Sequence, residues 1–347
     1  MSGGGAEKLV KILIEHLDSE GYSVELICLE KNDVYSFIGN IKVTYLSDWS
    51  KGVGGIKKLI FLPILAFRLN KYITNNNIKL VQSHLFRANY VNLLVKFFRS
   101  KHEIQVINHS VISRYKKEGL SGRVNLFLIK QLYPFADKII SVSNVVEKDM
   151  QELFGFKNEK KVIYNFFDIN NIQKLVCEEI NEFKFDKAKK YLVSVGRLIS
   201  LKRNKDLVEV LSKVDKNVEL IFIGTGEKKE NLRRQSNDLG LLQRIHFLGW
   251  VNNPYKYIKN ADLLVCTSET ESFGNVLVEA MVCGKPVLST RCGGPEEIIE
   301  DGVNGILVDV GNIDNMVKSI NMILNNKEIY NKYIKNAYLS SRKFDVR

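Results

Sequence analysis

Short apolar segments rich in Val, Ile and Leu recur along the whole chain, and stretches with helical periodicity separate them. Most of these segments end at Gly, Ser or Thr. Strands that are buried on both faces read as such apolar runs, and their alternation with helices is typical of parallel sheets. The predicted strands lie in residues 23–30, 41–46, 78–85, 103–110, 137–143, 160–165, 191–196, 218–224, 244–249, 261–268, 285–290 and 304–310.

This rhythm predicts two doubly wound α/β domains with parallel sheets. The 347 residues suffice for two cores, since a domain has about 150 residues as a soft average. We expect an N-terminal domain in residues 1–165, a linker in the charged stretch 166–190 and a C-terminal domain in residues 191–347. Ligands of such domains bind at the carboxyl ends of strands, and a cleft between the two domains is the expected ligand site.

The charge of the chain is positive and uneven. The net charge is +12, and residues 1–165 hold 24 Lys and Arg against 15 Asp and Glu. An anionic partner should therefore meet the first half. Nucleic acid is disfavoured, because no interleaving of basic and aromatic residues and no helix-turn-helix pattern is present. Hydrophobic residues make up 45% of the chain, an ordinary globular composition that gives no support for a disordered or fibrous protein.

Cysteine usage and the start of the chain predict a cytoplasmic protein. The five cysteines are scattered without a C-x-x-C pair, which indicates free thiols. The opening "MSGGGAEK" lacks an apolar signal region, and the longest apolar run, residues 59–67, is shorter than the about 20 residues of a membrane span. Residues 55–73 combine cations with Leu, Ile and Phe. They suit either a helix on an anionic membrane surface or a core helix with a basic edge.

Two loops that follow predicted strands carry candidate ligand groups. Arg197 and Lys202 follow the strand that ends at Gly196, and two cations there can hold a diphosphate. An ordinary solvated basic loop would have the same composition. The loop Gly224, Thr225 and Gly226 could let backbone approach a flat group such as a nucleobase, although a simple turn before a helix would look the same.

The stretch "ETESFGNVLVEA", residues 269–280, is the strongest candidate. Phe273 and Gly274 lead to Asn275, which we expect to be the N-cap of a helix whose first amides, including that of Val276, would bind phosphate. Glu271 and Glu279 could accept hydrogen bonds from hydroxyl groups on either side of that phosphate. Alternatively, both glutamates merely favour a helix N-terminus. The later turn at residues 293–295 is interpreted as structural.

Two histidines and a glycine run complete the candidates. His84 and His109 end predicted strands; structural hydrogen bonding would explain either one, and His109 is preferred as a site residue. Gly3, Gly4 and Gly5 precede an amphipathic helix, but no strand precedes them and G-x-G-x-x-G is incomplete, which disfavours a dinucleotide oxidoreductase. No histidine pair has metal spacing and D-x-D is absent, so neither a metal nor another cofactor is required.

Taken together, these motifs resemble a known enzyme family. "GRLxxxK", "GTGE", "ESFGNVLVEAMVCGKPVLST" and "GGPEEIIEDGVNGILV" occur in the order found in family 4 glycosyltransferases, and Glu271 and Glu279 match the E-x7-E signature. The resemblance continues through "SHLFRANYVN", "NHS" and "ADKIISVSN". It implies the GT-B fold, with two Rossmann-like domains. The family also has a strand before the glycine loop and a final crossing helix, and neither is apparent in this sequence.

The resemblance implies a retaining transfer from a nucleotide sugar, most often a UDP-sugar, to a glycan or a polyprenyl-diphosphate-linked acceptor in surface-polysaccharide synthesis. Arg197 and Lys202 would hold the diphosphate, Glu279 the ribose and Glu271 the sugar. His109 would contact the sugar near its reacting carbon, and the glycine loop would line the cleft. Two alternatives stay open: an epimerase or hydrolase of nucleotide sugars with the same fold, and a non-catalytic nucleotide-sugar-binding protein.

Overall fold

The structure, a computed structural model, describes residues 4–31, 41–49 and 55–346, except the side chain of Ile56. Contacts divide the chain into two compact units, residues 1–166 with 346 and residues 167–345 with 347. Residues 166–190, where the sequence predicts a linker, contain helix α7 (Ile169–Leu175), which packs against other helices of the second unit. The domain and linker boundaries themselves stay a prediction.

Among the described residues of the first unit, the strands pair in parallel. The strands β3, β4, β5 and β6 form one sheet in that order, and β1 pairs separately with β2. The strands are β1 (Glu25–Cys28), β2 (Lys42–Tyr45), β3 (Leu80–His84), β4 (Glu103–Asn108), β5 (Lys138–Ser141) and β6 (Glu159–Val162). The helices are α1 (Gly5–Ser19), α2 (Gly55–Ile60), α3 (Leu62–Asn75), α4 (Phe86–Leu94), α5 (Gly119–Leu132) and α6 (Asn144–Phe154).

The two faces of the β3–β6 sheet differ in polarity. One face packs against α3, α4 and α5 through buried residues such as Leu65, Tyr90 and Ile104. Because side chains alternate between faces along a strand, Gln82 on β3 and Gln105 on β4 point to the other face. That second face is therefore polar near β3 and β4.

In the second unit, six parallel strands lie in the order β12, β11, β10, β7, β8, β9. The strands are β7 (Lys190–Val195), β8 (Val218–Ile223), β9 (Ile245–Gly249), β10 (Leu263–Cys266), β11 (Val287–Thr290) and β12 (Ile306–Val308). The helices are α7 (Ile169–Leu175), α8 (Asn204–Lys213), α9 (Lys229–Asp238), α10 (Tyr255–Asn260), α11 (Asn275–Val282), α12 (Pro295–Ile298), α13 (Ile313–Asn325) and α14 (Lys327–Ser341).

The strand order of the second unit places a switch point between β7 and β10. From β7 the chain builds β8 and β9 on one side, then returns to add β10, β11 and β12 on the other side. The loops after β7 and β10 consequently diverge at the carboxyl edge of the sheet and leave a crevice there, which is where open α/β sheets bind ligands.

Every segment that the sequence predicted as a strand contains one, and the prediction of parallel sheets in two α/β units is confirmed. After α14 the chain returns to the start of this unit, where the Phe167 amide donates to the Phe344 carbonyl at 2.8 Å. Across the described residues, no helix is both long and apolar enough to cross a membrane.

Candidate functional site

The loop after β7 carries the two predicted cations. Gly196 follows the strand with φ +151, and a short 3₁₀ turn at Ser200–Lys202 then brings the chain back toward the sheet. The Lys202 side chain folds over Gly196, where an added Cβ would lie 3.7 Å from Lys202 Cε. Arg197 is exposed, and it lines a small cavity together with Lys202 and Val276.

Lys202 and Glu271 form an ion pair that the sequence did not predict. Lys202 Nζ contacts Glu271 Oε1, and the Ser268 hydroxyl donates to the same oxygen at 2.7 Å. Burial alone would lower the pKa of Lys202, but the adjacent Glu271 carboxylate outweighs burial and raises this pKa. Burial alone would raise the pKa of Glu271, and the Lys202 charge reverses the shift and lowers it. Both groups are therefore charged at neutral pH.

A short parallel bridge positions the Glu271 backbone. Glu271 pairs with Gly293: the Glu271 amide donates to the Cys292 carbonyl at 3.0 Å, and the Gly294 amide donates to the Glu271 carbonyl at 2.8 Å. An added Cβ on Gly294 would lie 2.3 Å from Phe273 Cα, so only glycine fits. Packing thus explains why Gly294 stands in the turn at residues 293–295, and the interpretation of this turn as structural stays a prediction.

Helix α11 begins at Asn275, and this corrects one prediction. The N-cap position is held by Gly274 at φ +105, where Asn275 was expected. Glycine adopts this left-handed conformation without steric cost, whereas a side chain there would also crowd Leu277. The amides of Asn275 and Val276 lie in the first turn, at the positive end of the helix dipole. The Phe273 ring is buried against Phe344, so its side chain is not available to a ligand.

Glu279 lies one turn into α11 and is buried. The Tyr255 hydroxyl of α10 donates to Glu279 Oε1 at 3.1 Å. Tyr255 and Ser268 are the two residues that sequence reasoning missed, and both orient a predicted carboxylate. Ser268 ends the predicted strand 261–268, so its position at a strand end was an available signal; Tyr255 gave none.

The glycines of the loop after β8 have a structural explanation. An added Cβ would lie 2.0 Å from the Gly196 carbonyl oxygen if placed on Gly224, and 2.2 Å from the Leu198 carbonyl oxygen if placed on Gly226. The Leu198 amide also donates to the Thr225 carbonyl at 2.9 Å. Both glycines thus let the loop after β8 pack directly on the backbone of the loop after β7. This packing requires glycine at both positions, independently of any ligand.

The first unit brings together the two strand-end histidines. His84 Nδ1 lies 3.0 Å from His109 Nε2, and burial lowers the pKa of His84 to about 3 and that of His109 to about 4. Both rings are consequently neutral at pH 7. Gly4 caps α1 and Gly5 is its first residue; the Gly4 amide donates to Glu7 Oε2 at 2.9 Å. Gly3 lies outside the described residues.

Metal chemistry has no candidate among the residues with described positions, where no cluster of three His, Cys, Asp or Glu side chains could hold a metal ion. All five cysteines are free thiols. The site of the second unit therefore combines two cations, two carboxylates and a helix N-terminus at the switch point.

Comparison with known proteins identifies the family. The Glycosyltransferase Family 4 model matches residues 3–171, and the model for glycosyl transferases group 1 matches residues 177–340. The N-acetylgalactosamine-N,N'-diacetylbacillosaminyl-diphospho-undecaprenol 4-alpha-N-acetylgalactosaminyltransferase of Campylobacter jejuni is 30% identical over 350 residues, covering 99% of this chain and 93% of that protein. The chain is a family 4 glycosyltransferase. Its two units are those of the GT-B fold that the resemblance implied, and it is an enzyme of the nucleotide-sugar-dependent group 1 class.

Two solved structures illustrate the fold of this glycosyltransferase. HepE from Anabaena, in complex with UDP and glucose, has a TM-score of 0.78 at 24% identity, covering 99% of this chain and 93% of that one. Sucrose-phosphate synthase from Thermosynechococcus elongatus has a TM-score of 0.84 at 18% identity, covering 99% of this chain and 90% of that one.

Proposed function

We propose that this glycosyltransferase moves a sugar, with retention, from a UDP-sugar to a glycan or lipid-linked glycan acceptor in surface-polysaccharide synthesis at the cytoplasmic membrane. The carrying observation is the cluster at the β7–β10 switch point. Arg197, Lys202 and the N-terminus of α11 supply positive charge, and Glu271 and Glu279 flank it. A nucleotide sugar has the matching pattern, because its diphosphate lies between two groups that carry hydroxyls.

The ion pair suggests how one side chain can serve two purposes. An ammonium group has three N–H donors, so Lys202 can keep its contact with Glu271 and still donate to a diphosphate. The side-chain hydrogen bonds that Glu271 accepts, from Lys202, Cys266 and Ser268, all go to Oε1. In the described part of the chain no donor contacts Oε2. Oε2 would then accept from a sugar hydroxyl, while Glu279 accepts from the ribose.

The chemistry of the transfer would rest on positioning and electrostatics. Arg197, Lys202 and the amides of Asn275 and Val276 would stabilise the charge that develops on the leaving diphosphate. His109 would contact the sugar near its reacting carbon. A phosphate oxygen of the donor would take the acceptor proton, so that no protein nucleophile is needed. In the first unit, the amides of Gly4 and Gly5 would lie beside the phosphate or the acceptor.

The relatives support the choice of donor and acceptor. The name of the Campylobacter jejuni enzyme describes transfer to a saccharide on undecaprenol diphosphate. HepE, which shares the fold, was solved with UDP and with UDP-glucose. We therefore expect the donor to be a UDP-sugar and the acceptor to be a saccharide linked to polyprenyl diphosphate.

A thermal-shift screen tests the donor class. UDP at 100 times its Kd should raise the Tm of the second unit by about 5–10 °C, since such a ligand adds about 2.7 kcal/mol and each kcal/mol shifts Tm by about 2–4 °C. NAD should have no effect, and Glu279→Gln should reduce the response to UDP. Stabilisation by GDP alone would contradict the uridine assignment. Release of free sugar or of an epimer without any acceptor would favour the hydrolase or epimerase alternative.

An exposed apolar surface on the first unit supports peripheral membrane association. Ile60, Ile64 and Phe67 lie on α2 and α3 with 68%, 46% and 55% of their surface exposed. The Phe67 ring contacts that of Phe98 at 5.9 Å between centroids. We call these four residues the apolar surface. The sequence segment that contains these four residues, 51–100, has nine Lys and Arg and no Asp or Glu, a composition suited to anionic lipid headgroups.

Liposome flotation tests this surface. The double variant Ile64→Ser with Phe67→Ser should reduce recovery on anionic vesicles about tenfold or more, because a buried Phe or Ile side chain contributes about 1.5–3 kcal/mol. The control Leu239→Ser removes an exposed leucine of the second unit and should change nothing. Equal recovery of the wild type on neutral and anionic vesicles would contradict the proposal.

A further inference from the structure

A row of polar side chains crosses the face of the β3–β6 sheet that lies opposite α3, α4 and α5. Gln82 and His84 of β3 and Glu103 and Gln105 of β4 occupy alternate positions, and the register places Gln82 beside Gln105. Parallel strands that are buried on both faces are apolar, whereas Gln82, His84 and Gln105 are only half-buried, so this face of the sheet is a partly exposed polar surface.

The row is a continuous chain of hydrogen bonds that ends at His109. Gln105 Nε2 lies 2.7 Å from Glu103 Oε1, and Gln82 Nε2 lies 3.2 Å from Gln105 Oε1. His84 Nε2 then lies 3.1 Å from Gln82 Oε1. The final link joins His84 Nδ1 to His109 Nε2 at 3.0 Å. We call Glu103, Gln105, Gln82 and His84 the relay.

The carboxylate at the start of the relay sets the direction of every later bond. A carboxylate only accepts, so the Gln105 amide nitrogen must face Glu103 and its oxygen must face Gln82. The same logic turns the Gln82 oxygen toward His84, whose Nε2 must carry the proton. In a neutral ring His84 Nδ1 is then an acceptor, and His109 Nε2 must donate to it.

We propose that the relay residues are positioning residues that hold His109 in the tautomer protonated at Nε2, so that Nδ1 is presented as an acceptor to a hydroxyl of the donor sugar. The contact with the sugar rests on the proposed function, whereas the tautomer does not. Nδ1 of His109 has no hydrogen-bonding partner within the described ranges of the chain.

Two observations agree with this assignment. Burial lowers the pKa of His84 to about 3 and that of His109 to about 4. Each ring is therefore neutral at pH 7, and its single proton lies on either Nδ1 or Nε2. Leu85, directly after His84, has φ +70, a conformation that is strained for leucine. Such strain is found where the surrounding structure holds a functional position in place.

Long-range ¹H–¹⁵N spectra of the ¹⁵N-labelled protein at pH 7, without donor, test the tautomer directly. His109 and His84 should both be protonated at Nε2. In Gln82→Leu, His84 loses its acceptor, and a second form of His109 protonated at Nδ1 should appear. Gln82→Glu keeps an acceptor and should restore the wild-type spectrum. His102 is an internal control, because its Nε2 donates to Asn92 Oδ1 at 3.1 Å outside the relay. An unchanged His109 in Gln82→Leu would overturn the proposal.

Kinetics then separate the relay from the role of His109. If His109 accepts from the sugar, Gln82→Leu should lower kcat about 3- to 10-fold, the equivalent of one neutral hydrogen bond, with the affinity for UDP unchanged. Gln82→Glu should restore the rate. If Gln82→Leu changes the tautomer of His109 but leaves kcat unchanged, the role of the relay is supported and the sugar contact proposed for His109 is refuted. An unchanged tautomer refutes the relay whatever the rate.

Discussion

Replacing Lys202 by Met is expected to lower kcat/KM about 10²- to 10³-fold, the range seen when one stabiliser of developing charge is removed from an active site. Lys202 lies at the switch point, in contact with Glu271, and lines a small cavity with Arg197. Without Lys202, Arg197 and the α11 amides would be the remaining positive groups of the proposed diphosphate site. Steady-state kinetics with the donor found by thermal shift measure the effect. Lys205→Met, which removes an exposed lysine of the neighbouring helix α8, is the matched control and should keep wild-type activity.

The same substitution should also destabilise the second unit by about 3 kcal/mol, because it leaves the Glu271 carboxylate, which is only 14% exposed, without its cation. Adding Glu271→Gln should recover most of this stability but none of the activity. That pattern separates the structural from the catalytic contribution of the pair. A Lys202→Met enzyme that is folded and within threefold of wild-type activity would contradict the assignment of Lys202 to the diphosphate.

The pair should contribute its stability over a wide pH range. Because the pKa of Glu271 is lowered in the folded state, the pair contributes its full stability above the ordinary pKa of a carboxylate. This stability is lost as the pH falls through the lowered pKa of Glu271. The raised Lys202 pKa means that the contribution is lost again only as the pH rises through that raised value. The Glu271 and Lys202 charges are therefore constant around neutral pH.

Replacing Gly226 by Ala is expected to destabilise the second unit by about 3 kcal/mol or more, because the added Cβ has no space. It would lie 2.2 Å from the Leu198 oxygen and 2.6 Å from the Leu198 carbonyl carbon, and backbone cannot move aside as a flexible side chain can. The Tm of the second unit should fall by about 6–12 °C. Differential scanning calorimetry is the suitable measurement, since two units need not unfold in one step.

Gly240→Ala is the matched control for this prediction. Gly240 has φ +66 and nothing within 4 Å of an added Cβ, so only the left-handed conformation is unfavourable. We expect a loss of about 1–2 kcal/mol there. Equal destabilisation by both substitutions would show that the contact between the β7 and β8 loops is not what requires glycine at 226.

Local patterns in the sequence were sufficient for the fold. Strands such as β8 and β10 are buried along their whole length, so they were visible as runs rich in Val, Ile and Leu. The strands β3 and β4 were recognised from shorter apolar segments, because one of their faces carries polar side chains. Glu271 was predicted because it lies in the loop after the strand that ends at residue 268, and Glu279 because it lies one turn into the helix that follows; their roles stay predictions. The prediction of Asn275 as N-cap was wrong because the φ of Gly274 depends on how the loop meets the sheet.

The sequence by itself determined the helices and strands, the parallel orientation of the strands and the resemblance to the family, because these follow from periodicity and from motifs within single segments. Only the tertiary structure decided which groups meet. Lys202 and Glu271 are 69 positions apart, and the relay joins two strands separated by a helix. The need for glycine at 224 and 226 likewise comes from the backbone of another loop. Contacts of this kind form because the sheet brings together residues that are far apart in the sequence. No local sequence pattern states the distance between two such residues in space.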